Sequence, residues 1–170
     1  IEDRGYQFAD GVYEVIAIDN THLVDAVSHY DRLERSLSEI EIDQPMTRAA
    51  LDVVLRAVVR RNRIRNGIVY LQVTRGVAKR DHPFPEHAQP AIVATARRGG
   101  RPSTANREEG VGVVTVPDIR WARCDIKSIS LLPNVLAKQA AREAGGFEAW
   151  QVDEDGMVTE GSSTNAWIVD

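Results

Sequence analysis

The chain has 170 residues, 21 basic and 25 acidic side chains and a formal net charge of −4, a balance without the basic face of a nucleic-acid binder. Apolar residues make up 43% of it, ordinary for a globular protein, and no apolar run reaches the roughly 18–20 residues that span a bilayer. A single cysteine, Cys124, excludes an internal disulfide and makes the reducing cytoplasm the expected compartment.

The opening "IEDRGYQFADG" has no signal-peptide pattern, and both it and the closing "NAWIVD" read as cut. A piece of a longer protein is expected. "VYEVIAI" alternates as a strand, and "DNTH" reads as a turn into a second one. Asp25 is placed to cap a helix whose apolar face is Val27, Tyr30, Leu33, Leu37 and Ile40. Thr47 is placed to cap the next, with Ala50, Leu51, Val54, Leu55 and Val58 as its stripe. "IVYLQVT" is rich in β-branched and aromatic residues and reads as a strong strand.

"RGVAKRDHPFPEHAQP" then runs from Arg75 to Pro90. Its three prolines bar a regular element, and so long a loop inside a domain usually serves function. A strand at "AIVATA", a polar connector at "RRGGRPSTANREEG" and a strand at "VGVVTVP" follow. "DIRWARCDIKS" is irregular; "LPNVLAKQAAREAGG" is a helix with Pro133 in its first turn and Gly145–Gly146 as its stop. "FEAWQV" and "MVTEG" pair across "DEDG", and "NAWIV" reads as a last strand. The pattern is α+β, or mixed α/β.

Four places carry candidate chemistry. Lys127 is a surface lysine by default, or an amine nucleophile if the apolar Ile126, Ile129, Leu131 and Leu132 desolvate it. "TEGSSTN" is a turn with self-satisfied hydroxyls, or a set of anion-facing donors with Glu160 directed at a protonated ring; it lacks the G-x-S-x-G elbow of a serine hydrolase. In "HYDRLERS", Arg32 belongs to a solvated face or forms a phosphate fork, and no glycine-rich phosphate loop accompanies it. Arg80 and His82 would make a carboxylate clamp; a metal is not expected, because nothing completes a zinc site around His82 and His87. Cys124 is expected to be a small buried apolar residue.

Taken together, "RGYQFADGVYEV", "HYDRLERS", "YLQVTRGVAKRDHPFP", "RWARCDIKSISLLPNVLAKQAA" and "DGMVTEGSSTNAWIV" occur in an order that resembles the class IV aminotransferases, the fold-type IV pyridoxal-phosphate enzymes. The likeness covers nearly the whole chain, and "DGVYEV" with the R-x-H loop favours the branch acting on D-amino acids. The resemblance implies an N-terminal α/β domain over 1–100, a connector over 101–110 and, over 111–170, the opening of a barrel-like cofactor domain that continues further in the family.

It also implies roles. The cofactor would be pyridoxal 5'-phosphate. Lys127 would hold it as a Schiff base and move the substrate proton, Glu160 would pair with its ring nitrogen, and Arg32 would bind its phosphate. Tyr13, Arg80 and His82 would hold the substrate α-carboxylate, with the R-x-H loop reaching in from the partner subunit of a homodimer. The reaction would be D-amino acid transamination, for example D-alanine with 2-oxoglutarate giving pyruvate and D-glutamate. A branched-chain or (R)-selective amine aminotransferase, an aminodeoxychorismate lyase and a non-catalytic dimerisation module are the alternatives. Neither nucleic acid nor membrane is an expected partner.

Overall fold

Alternation with a period of two builds the centre of the first half. In the computed structural model, which describes residues 1–99 and 104–168, the chain divides into two units. One is Ile1–Arg101 with Asp125–Ile129, the other Pro102–Cys124 with Ser130–Asp170.

The first unit opens with a short helix, α1 (Arg4–Phe8), capped by the Asp3 carboxylate on the Gly5 N–H at 2.7 Å. An antiparallel sheet follows, made of β1 (Gly11–Asp19), β2 (His22–Leu23), β3 (Gly67–Thr74) and β4 (Ala91–Arg98) in the order β2-β1-β3-β4. Between β2 and β3 run α2 (Ala26–Glu39) and α3 (Arg48–Arg61).

Register decides which side chains are buried. Val12 stands opposite Val73, Glu14 opposite Leu71 and Ile16 opposite Val69. All six are fully buried, and they share one face because successive side chains alternate. Tyr30, Leu33 and Leu37 of α2 and Leu51, Leu55 and Val59 of α3 join them in one core. Each such side chain contributes about 1.5–3 kcal/mol by leaving water. Tyr13, Tyr70 and Gln72 lie on the opposite face: Tyr13 pairs with Gln72, and its ring stacks on Tyr70 at 5.9 Å.

Both helix faces differ somewhat from the expected ones. Val27 is 64% exposed, Val54 is at the surface and Ala50 is exposed, whereas Val59 is buried. Periodicity fixes the direction of a helix face, but not how far its flanks and first turn are covered. Thr47 caps α3 through its hydroxyl, 3.3 Å from the Ala50 N–H. Asp25 stands at the cap of α2 in a left-handed conformation, φ 52°, and makes no side-chain capping bond.

In the second unit, α4 (Thr104–Glu108) precedes β5 (Val113–Pro117), α5 (Leu132–Glu143), β6 (Glu148–Val152) and β7 (Val158–Gly161). The sheet order is β5-β6-β7, with β5 parallel to β6 and β6 antiparallel to β7. Its core is small: Ala137, Ala141 and Ala149 are buried with Val114 and Val116 against them. The α4 turn lies within the polar connector, where its five residues carry no apolar period to announce it. Residues 100–103 of that connector lie outside the described residues. Residues 165–168 form no strand, and Val169 also lies outside the described residues. Among the described residues no helix is long and apolar enough to cross a membrane.

Candidate active site

Lys127 owes its position to β1. Ser128 bridges Val12, the Tyr13 N–H donates to the Lys127 carbonyl at 3.0 Å, and the Ile129 N–H donates to the Gly11 carbonyl at 3.1 Å. The Lys127 N–H donates in turn to the Ser36 hydroxyl of α2 at 3.3 Å. A short backbone strap therefore holds the residue at the edge of the sheet, anchored below by the buried Ile126. The half-buried side chain lies over Tyr13: Nζ donates to the Tyr13 hydroxyl at 3.3 Å and sits 4.4 Å from its ring centre. Leu132, expected to shield this amine, is 68% exposed. Beneath Tyr13, burial and the neighbouring Tyr13 push the Tyr70 phenol upward. An amine held against a phenol in this way can carry a proton in a fixed direction.

One residue on, β1 turns Glu14 to the core face, where it is 1% exposed. Two α2 residues meet it there. Arg32 Nε and Nη2 donate to its two oxygens at 2.6 and 2.7 Å, and His29 Nδ1 donates to Oε2 at 2.7 Å. The bidentate grip fixes the plane of the Arg32 guanidinium; the Arg32 side chain as a whole is 46% exposed.

Arg80 and His82 assemble on α1. The Arg80 guanidinium lies 4.6 Å from the Phe8 ring centre and donates to the Gln7 carbonyl at 3.2 Å; the His82 ring is 5.4 Å from Phe8. Among the described residues no carboxylate pairs with Arg80.

Glu160 lies on β7 of the second unit, 3.5 Å from Arg120 Nη1. Arg120 is bound more closely to Asp118, at 3.0 and 2.7 Å, and holds that carboxyl well below the usual range with help from the Thr159 hydroxyl. After Glu160 the chain turns at Gly161, where an added Cβ would collide with the Thr164 carbonyl. Glu148, 2% exposed, holds this turn. It accepts from the Ser162 hydroxyl, from the Ser163 hydroxyl at 2.8 Å and from the Ala149 N–H at 2.8 Å. Burial works to raise the Glu148 pKa; the hydroxyls of Ser162 and Ser163 and the Ala149 N–H outweigh it and hold it at about 2.

The structure thus brings Lys127 and Tyr13 together, gathers Arg80 and His82 on Phe8, pairs Arg32 with Glu14 and places Glu160 beside Arg120. Sequence reasoning missed Glu14 and Glu148. Each is a carboxylate at an inward position of a strand, where alternation calls for an apolar residue, and that mismatch was the available signal. Cys124 is exposed, contrary to expectation, with Sγ 3.0 Å from the Trp121 carbonyl. It falls in an irregular stretch with no apolar period to turn it inward.

Residues 11–170 match the family model described as amino-transferase class IV. The chain is 47% identical over 168 residues to a D-alanine aminotransferase of Staphylococcus aureus, covering 98% of this chain and 59% of that protein. A D-alanine aminotransferase of Bacillus licheniformis is 46% identical over 168 residues, with 99% and 59% covered. The chain thus spans about three-fifths of the length of these curated relatives. Among solved structures, the PLP-bound form of a hypothetical aminotransferase from Mycobacterium tuberculosis shares the fold. It superposes with a TM-score of 0.76 at 20% identity, over 95% of this chain and 58% of that one.

Proposed function

Because the chain belongs to the class IV aminotransferases, we propose that the protein it represents moves the amino group of D-amino acids, such as D-alanine, onto 2-oxo acids, such as 2-oxoglutarate, with pyridoxal 5'-phosphate as cofactor. The observation that carries this reading is the Lys127 amine strapped to β1 with Nζ 3.3 Å from the Tyr13 hydroxyl. The choice of D-amino acids is supported by the 47% and 46% identities to D-alanine aminotransferases.

The residues suit the cofactor by their chemistry. A half-buried amine suits its aldehyde, a guanidinium of fixed plane its phosphate, and a carboxylate with room for a second donor its protonated ring nitrogen. Lys127 would hold the aldehyde, Arg32 the phosphate and Glu160 the nitrogen. When bound, the cofactor supplies an electron sink that acidifies the substrate Cα–H. Lys127 Nζ would take that proton and hand it on to a second carbon, a transfer worth about 10²–10⁴-fold in rate. The Tyr13 hydroxyl would orient Nζ between the two sites and join Arg80 and His82 in holding the substrate α-carboxylate. Glu160 would keep the ring nitrogen protonated, and Glu148 would keep the turn after Glu160 in shape. Arg80 and His82 bind the substrate α-carboxylate, which determines the hydrogen that faces Lys127; stereochemistry is then a property of the clamp.

In this reading residues 1–100 are the N-terminal domain, 101–110 the connector and 111–170 the opening of the cofactor domain. The protein works in the cytoplasm as a homodimer in which the Arg80–His82 loop completes the partner's site. Purified full-length protein assayed with D- and L-alanine tests the substrate assignment. Pyruvate release from D-alanine at least about a hundredfold faster is the expected result, given that a misplaced carboxylate costs about that much; equal rates would overturn it.

A further inference from the structure

The clamp loop needs a support. It runs sixteen residues from Arg75 to Pro90 with no regular element, and its cationic pair must be held still to read a carboxylate. The support visible in the structure is Arg4, a residue that the reaction itself does not use.

Arg4 is 4% exposed. Its Nη1 donates to the Asp81 carbonyl at 2.6 Å and, more weakly, to the Pro83 carbonyl at 3.4 Å. Nη2 donates to the His82 carbonyl at 3.3 Å, and Nε to the Asp10 carboxylate at 2.7 Å. One buried guanidinium therefore grips three successive carbonyls immediately after Arg80. Asp10 anchors it from behind and also takes the Nε of Arg75 at 2.8 Å. Arg75 in turn binds the Ile40 and Glu41 carbonyls at 2.6 and 2.9 Å and lies 3.7 Å from the Phe84 ring centre.

Backbone contacts fix the base of this knot. The Arg4 N–H donates to the Gly76 carbonyl at 2.8 Å, and the Thr74 hydroxyl donates to the Asp3 carboxylate at 2.8 Å. Gly76, at φ 93°, turns the chain into the loop where an added Cβ would strike the Gln89 carbonyl. The Phe8 ring completes the platform, with Arg4 at 4.9 Å and Arg80 at 4.6 Å from its centre. A lysine could not replace Arg4, because its point-like ammonium lacks the planar fork that reaches three carbonyls and a carboxylate at once.

We propose that Arg4, anchored by Asp10, is the positioning residue that presents Arg80 and His82 to the substrate carboxylate. The inference rests on the clamp reading given above. It is tested in the full-length holoenzyme with Arg4→Met, Arg80→Ala and the double variant; Asp10 keeps Arg75 as a partner in Arg4→Met. Arg4→Met is expected to raise KM for D-alanine about tenfold with kcat changed less than about threefold, the signature of lost ground-state binding. In the Arg80→Ala background the same change should add less than about twofold, since coupled residues are not additive. In cofactor-free protein, trypsin should cut after Lys79 and Arg80 several times faster in Arg4→Met. Arg4→Lys should restore neither KM nor protease resistance fully. If Arg80→Ala leaves KM unchanged, the clamp reading fails and takes the proposal with it. If Arg80→Ala raises KM while Arg4→Met does not, or the two effects are additive, the clamp stands and Arg4 does not position it.

Discussion

Two carboxylates, the largely buried Asp10 and the buried Glu148, tie down the loop that bears Arg80 and His82 and the turn that follows Glu160, and they do so by different means. In the first unit, Asp10 is held by two guanidiniums, Arg4 at 2.7 Å and Arg75 at 2.8 Å. In the second, Glu148 is held by the hydroxyls and amide around the turn after Glu160. In both, burial alone would raise the pKa, and the partners overcome it. The first knot is charge against charge and fails heavily when one member is removed. The second is mainly charge against neutral dipoles, with only the half-exposed Lys138 ammonium as a longer ionic contact at 3.4 Å; the dipoles can rotate or take up water when the charge goes.

That contrast can be broken most forcefully at Asp10. Asp10→Ala leaves two nearly buried guanidiniums without their carboxylate and should cost about 3–5 kcal/mol in urea unfolding of the full-length protein. A cost no greater than that of Glu148→Ala would erase the distinction. For Glu148→Ala itself the expected loss is about 2 kcal/mol, from the Ala149 N–H and the two serines.

A smaller effect sharpens the pH side of the comparison. Glu148 has a reference pKa of 4.5 and is held at about 2 in the folded chain. A depressed carboxyl stabilises fully above its unfolded pKa, and the contribution fades as pH falls through the window toward the folded value. Ser162→Ala weakens that depression and should cost about 1 kcal/mol at neutral pH. Its penalty should shrink as pH drops from 4.5 toward 2; a penalty constant across that range would contradict the charged state assigned to Glu148.

The smallest effect belongs to Arg35, which is exposed at the start of the Lys127 strap, where it pairs with the Asp125 carboxylate at 2.7 Å and donates to the Asp125 carbonyl at 2.6 Å. Arg35→Ala should cost only about 0.2–1 kcal/mol and leave turnover within about twofold, because the strap is held by backbone hydrogen bonds to β1. A large loss of activity would mean that the ion pair, and not β1, positions Lys127.

The same contrast explains what could be read in the sequence. The alternation of Val12, Ile16 and Ile18 and the spacing of Leu33 and Leu37 announce the first unit's sheet and helix. They do so because a large apolar core forces a period on its elements. The second unit has a core of three alanines and two valines, and there the reading weakened: α4 was not foreseen and 165–168 form no strand. Lys127, Arg32 and Glu160 were singled out, yet spacing alone left each of them two roles; the family resemblance supplied one. The alternation mismatch marks Glu14 and Glu148 but not what they bind, and nothing local marks Arg4. Their partners lie up to 79 residues away along the chain, and no local pattern records a contact that the fold creates. Helix α1, five residues long, is too short to show a period at all.

The central claim is that Lys127 is the amine that carries the cofactor and the proton. Borohydride reduction of the full-length holoenzyme, followed by peptide mapping with mass spectrometry, tests it directly. The account predicts a single pyridoxyl group on Lys127, with Lys127→Ala losing both the label and nearly all turnover while its urea midpoint stays close to that of the parent protein. A label on Lys79 or Lys138, or a Lys127→Ala protein that still turns over at a sizeable fraction of the parent rate, would contradict it.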